Sequence, residues 1–176
     1  CGKYKKIRYK DSSKFRDWNQ FYNYTTISID QNSKIGVDVR YHGNQGFGVF
    51  IKDFEKGHIN AELALAYDIS DYLNTSEKTS YIKSGIYWDH DFTDYEIKLE
   101  IENYHQITDI IDNKNLSRTE ILLELYFPIE DKWRVILGYE YEDFKDSNNN
   151  INSSAYISVG YHNLLNLDKF KNIFSD

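Results

Sequence analysis

Residues 93–144 alternate in polarity with a period of two, and little else in the chain constrains the fold as tightly. In 94–104 the odd positions are Tyr95, Ile97, Leu99 and Ile101, and the even ones are Glu96, Lys98, Glu100 and Glu102. In 118–127 one set is Thr119, Ile121, Leu123, Leu125 and Phe127, and the other is Arg118, Glu120, Leu122, Glu124 and Tyr126. In 132–143 Trp133, Val135, Leu137, Tyr139 and Tyr141 oppose Arg134, Ile136, Gly138, Glu140 and Glu142. Successive side chains of a strand point to opposite faces, so this pattern predicts three strands, each with an apolar and a charged side.

The same period recurs more weakly elsewhere. Strands are expected at 21–30, 34–42, 47–54, 58–69, 80–90 and 152–162. Between them, turns are expected at 31–33, 43–46 (GNQG), 55–57, 91–93 and 128–131, with polar loops at 70–79, 105–117 and 145–151. Glycine and asparagine suit 43–46 to a tight turn. The basic segment 1–20 is a tether or a first strand, with Ile7 and Tyr9 on one parity and Lys6, Arg8 and Lys10 on the other. Residues 11–20 read as a loop. The tail 163–176 spaces Leu164, Leu167, Phe170 and Phe174 as an amphipathic helix would. Short strands joined by short links give antiparallel neighbours, and a long meander removes its unpaired edges by closing. The expected fold is therefore all-β: an up-and-down barrel of about eight to ten strands over 21–162, with a helix-like tail.

Composition narrows the class. A net charge of -7 disfavours nucleic acid as a partner. No run approaches the roughly 20 apolar residues of a spanning helix. A mean hydropathy of -0.68 still permits a transmembrane barrel, whose polar inner face lowers the average. The 16 tyrosines suit both strands and membrane–water boundaries. The single cysteine, Cys1, excludes a disulfide within the chain.

Which face points outward separates two barrels. A soluble barrel of the lipocalin type turns its apolar face inward, around an apolar ligand; a membrane barrel turns it toward lipid. Three features favour the membrane. Aromatics end the aliphatic rows: Trp88, Tyr95, Phe127, Trp133, Tyr139 and Tyr161 flank Leu99, Leu123 and Leu137. The polar face mixes both charge signs with small residues such as Gly36, Gly48, Gly85, Gly138 and Gly160, which weaken a solvent-exposed strand but make room in a narrow lumen. From 58 onward the links alternate between long and short. In this pattern the chain resembles the small bacterial outer-membrane β-barrels, or a piece of a larger export barrel. Cys1-Gly2 resembles the start of a mature bacterial lipoprotein, whose cysteine is acylated. These resemblances imply an outer-membrane location, or a lipid-anchored place in the periplasm or at the cell surface. They imply membrane lipid and other envelope proteins as partners. An even strand count would make 1–10 a strand and start Cys1 on the short-turn, periplasmic side.

The residues assigned to the lumen are Lys98, Glu100, Arg118, Glu120, Glu124, Arg134 and Glu140, expected to form a network of paired charges. Those assigned to lipid or girdle are Trp88, Tyr95, Leu99, Leu123, Phe127, Trp133, Leu137, Tyr139 and Tyr161. No cofactor or metal signature is present. Asp89, His90 and Asp91 alternate in facing, so a strand there does not chelate with all three. His42 and His105, with Ser70, Ser80 or Asp143, are the residues a hydrolase or acyltransferase site would draw on, although no spacing singles out a trio. A non-enzymatic barrel is the expected role.

Overall fold

The computed structural model describes residues 4–32, 37–72, 75–108, 115–130, 132–145 and 151–161. Among the described residues nine strands follow one another: β1 (Tyr4–Lys14), β2 (Phe21–Asn32), β3 (Val37–Phe54), β4 (Gly57–Tyr72), β5 (Thr75–Asp91), β6 (Glu96–Gln106), β7 (Arg118–Glu130), β8 (Trp133–Phe144) and β9 (Ile151–Tyr161). Each pairs antiparallel with its sequence neighbour, in a single sheet ordered β1 to β9. The basic N-terminal segment is thus a strand, running past the expected loop start as far as Lys14. Cys1 and the tail 163–176 lie outside the described residues.

Closure and two of the expected links are corrected. The sheet is not closed into a barrel, and β1 and β9 are its edges. GNQG is no turn but the middle of β3. Gly43 lies opposite Ile27 and Tyr67, and Gly46 lies opposite Tyr24 and Ala64, so two flanking strands hold it extended. A Cβ at Gly46 would collide with the Leu63 carbonyl and Ala64, so this glycine serves close strand approach. Residues 70–79 are no loop either. β4 runs to Tyr72 and β5 starts at Thr75, with Asp71 opposite Ser76 and Tyr72 opposite Thr75.

Merging two expected strands into β3 also changes which links share an end. The links 15–20, 55–56, 92–95 and 131–132 lie at one end of the sheet, and those at 33–36, 73–74, 107–117 and 145–150 lie at the other. β1 therefore begins at the end that holds 107–117, opposite to the end expected for the N-terminus.

Burial fixes the facing. From β2 to β6 exposed and buried residues alternate almost without break, and the buried set is tyrosine, small and charged: Tyr24 and Lys83 are each 1% exposed. The exposed set is aliphatic and aromatic, with Leu65 at 66% and, on β9, Ile157 at 77%. Inward glycines receive tyrosine rings. A Cβ at Gly48 would enter the Tyr22 ring, and one at Gly138 the Tyr156 ring. Gly138→Val is expected to displace Tyr156 and to lower stability by about 1–3 kcal/mol, the usual cost of overpacking. Denaturant unfolding followed by far-UV circular dichroism measures it, and an unchanged midpoint would contradict this packing.

Candidate functional site: the charged interior

Parity sends most of the charged residues of most strands to the concave side. β1 supplies Arg8 and Lys10, β3 Arg40 and His42, β4 Glu62 and Asp68, and β5 Lys83. β6 supplies Lys98, Glu100 and Glu102, β7 Arg118, Glu120 and Glu124, and β8 Arg134, Glu140 and Glu142. Several pairs join strands that are not neighbours. Arg8 Nη1 lies 3.1 Å from Glu100 Oε2, and its Nη2 lies 3.5 Å from Glu102 Oε1, which ties β1 to β6. Lys10 pairs with Glu62 on β4. Arg118 Nη2 lies 3.2 Å from Asp68 Oδ2, which ties β7 to β4. Arg40 Nη1 lies 3.5 Å from Glu142 Oε1, which ties β3 to β8. Such contacts form only because the sheet curls until distant strands face each other.

The network is densest around Arg118 and Glu102. The register sets Glu102, Glu120 and Glu142 directly opposite one another on β6, β7 and β8. Like charges in that arrangement destabilise a sheet. Cations offset this: Arg118 Nε lies 2.6 Å from Glu120 Oε1 and 3.6 Å from Glu142 Oε1, and Lys83 Nζ lies 2.7 Å from Glu102 Oε1. Tyr87 and Tyr104 hydroxyls each donate to Glu102 at 2.6 Å. The Arg118 guanidinium also stacks 4.1 Å from the Tyr104 ring centroid. Taking an ion out of water costs several kcal/mol, so these charges are tolerable only as a set.

The residues assigned to the lumen from sequence all belong to strands lining this interior. Lys98 lies 3.0 Å from Glu100, and Arg134 lies 2.5 Å from Glu96. Glu124 accepts from Tyr126 at 2.6 Å and from Tyr156 at 2.7 Å. Glu140 shares their parity, opposite Leu122 and Ser154. Sequence reasoning left out Arg40, Glu62, Asp68, Lys83, Glu102 and Glu142, although parity alone placed each on the charged side.

No catalytic trio assembles from the named candidates. His42 is buried inside while His105 is exposed on the outer face. Asn44 Nδ2 lies 2.8 Å from His42 Nε2, and His42 Nδ1 pairs with Asp68. The amide of Asn44 thus occupies the nitrogen to which a serine nucleophile would donate. Among the described residues no group of three or more His, Cys, Asp or Glu is arranged to hold a metal ion.

On the outer face, Trp88, Leu99, Leu123 and Tyr139 follow one another across four strands in register. Rings gather at the end with the 55–56, 92–95 and 131–132 links. Phe54 meets His90 at 5.6 Å, His90 meets Phe92 at 4.5 Å, Phe92 meets Tyr95 at 4.7 Å and Tyr95 meets Phe127 at 6.0 Å between centroids. Trp133 and Tyr161 pair at 5.0 Å. His90 belongs to this chain of rings. Leu137 lies opposite Leu125 and Ile157 in the aliphatic part of the same face.

Comparison with known families, with characterised proteins and with solved structures returns no match. Arg118→Met is expected to cost about 3–5 kcal/mol, because it strands buried carboxylates. Lys98→Met, at a side chain 37% exposed, is expected to cost at most about 1 kcal/mol. Equal losses in chemical denaturation would contradict the assigned burial.

Proposed function

We propose that the chain is a non-enzymatic β-barrel of the bacterial outer-membrane type. Its apolar face meets lipid, and it serves as an anchor or narrow channel within an envelope assembly. One observation carries this reading: the exposed apolar rows slide steadily along the strands. On β1 the outward apolar pair is Ile7 and Tyr9, and on β9 it is Ile157 and Val159. Traced through the pairings, the level of Arg8 passes Ser28, His42 and Asp68 to reach Thr79 on β5. The level of Ser158 passes Ile136, Tyr126 and Glu96 to reach Asp91 on the same strand. From 79 to 91 is 12 residues over eight strand steps. A rise of about 3.3 Å per residue and a strand spacing of about 4.8 Å turn that slide into a tilt of roughly 45°. A flat hydrocarbon slab cutting strands at that tilt, near the range of membrane barrels, would select such a band.

A soluble ligand-binding barrel fits less well. Its interior would need apolar walls, whereas this one is lined by Tyr24, Lys83, Glu102 and Arg118. It would also leave Leu63, Leu65, Ile86 and Ile157 facing water as a large contiguous patch. The aromatic chain at one end suits the girdle of a membrane barrel.

Lipid also bears on the open edges. An unpaired strand edge in hydrocarbon leaves amide groups unsatisfied at several kcal/mol each. In the bilayer we therefore place β1 against β9. With nine strands in strict alternation these two run in the same direction, so the closing pair is parallel. The cross-interior pairs from β1 to β4 and β6 favour that curvature.

Two experiments test the reading. The protein is expected to need detergent or lipid to stay monodisperse, and a stable monomer in plain buffer would contradict it. Leu123→Arg is expected to block insertion into vesicles, since a charge facing the bilayer midplane costs about 2–4 kcal/mol. Insertion at the unmodified level would count against the outward facing of Leu123.

A further inference from the structure

A cation reaches into the interior of the curled sheet from its edge, with its side chain 32% exposed. Lys10 reaches in from the edge strand β1 and pairs through Nζ with Glu62 Oε1. Two rings flank it: the ammonium lies 4.6 Å from the Tyr24 centroid and 5.1 Å from that of Tyr87. The side chain of Glu62 has no exposed area, and Tyr22 donates to the same Oε1 at 2.6 Å. Its other oxygen, Oε2, is buried with no hydrogen bond of regular geometry, although the Tyr24 hydroxyl interacts with this carboxylate. Thr26 Oγ1, at a residue 1% exposed directly opposite Lys10, and Asn44 Oδ1, at a residue 4% exposed opposite Thr26, have no hydrogen-bond partner among the described residues. Small residues, Gly46, Ala64 and Ala66, surround these atoms in the register. Buried oxygens without protein partners beside small side chains are where internal water or a small cation finds ligands.

We propose that this file of oxygens is a path for small monovalent cations, plugged by the Lys10 ammonium at Glu62. The inference rests on the membrane reading above. The chemistry selects the ion class. A carboxylate, an amide oxygen, a hydroxyl and two ring faces all favour positive charge, and carboxylate-lined constrictions pass cations. Lys10 occupies the position the ion would take, held by attraction to the group that would bind it. Arg8, paired with Glu100 and Glu102 one step along the same strand, holds β1 in place without entering this file.

The test is conductance in planar phosphatidylcholine bilayers under a potassium chloride gradient, with folding checked by circular dichroism. The unmodified protein is expected to show small or no unitary currents. Lys10→Met is expected to raise them roughly threefold or more and to move the reversal potential toward that of potassium. Glu62→Gln frees Lys10 while keeping the volume, and is expected to raise current without cation preference. It also serves if Lys10→Met does not fold. Inserted Lys10→Met and Glu62→Gln proteins with unchanged currents would overturn the plug alone, as would currents carried equally by chloride in Lys10→Met. Protein that floats free of vesicles would overturn the membrane reading and the plug with it.

Discussion

The Arg118 side chain is 2% exposed, and it lies between Asp68 on one side of the interior and Glu120 and Glu142 on the other. The whole fold depends on pairs like this. The sheet turns its aliphatic side outward, so folding gains little from a dry core of the usual kind. The concave side must then be made habitable for charge. Tyrosines do much of this, because their hydroxyls donate to Glu62, Glu102 and Glu124 while their rings fill space over glycines. Cations from distant strands do the rest. Remove one partner and the other is left buried and unpaired, which costs more than the pair contributes.

The two-residue period made the facing legible from sequence, because one face is mostly apolar along the middle of most strands. Legibility failed where that condition fails. At 70–79 both faces are polar, alternation vanishes, and a continuing strand reads as a loop. At 43–46 Gly46, needed for close approach to Ala64, joins Gly43 and Asn44 in imitating turn composition. The charges named from sequence share the inner parity, and Lys98 with Glu100 and Arg118 with Glu120 pair within that set, but the pairs that cross the curled sheet were not legible. Arg8 and Glu100 are 92 residues apart, Lys10 and Glu62 52, and Arg40 and Glu142 102. Parity gives the face of a side chain and says nothing of what faces it across a curled sheet.

The strand number has a consequence of its own. Nine strands in up-and-down order leave β1 and β9 parallel to each other at the edges. An even count would have allowed an antiparallel closure and returned the start of β1 to the end with the shorter links. With nine, β1 starts beside the 107–117 link and β9 ends beside the 131–132 link. β1 also sends two cations, Arg8 and Lys10, across the interior to β6 and β4. Of the two edge strands, β1 is thus latched to distant strands by charge.

Leu122 and Leu123 are adjacent on β7 and of opposite parity, so they compare the two faces within one strand. In a background with Trp18, Trp88 and Trp133 replaced by phenylalanine, a single tryptophan is placed at 122 or at 123. Its fluorescence is then read in vesicles of lipid brominated along the acyl chain. Strong quenching at 123 and little at 122 is the predicted result. Quenching at 122 instead, or equal quenching at both, would mean that hydrocarbon does not meet the aliphatic face.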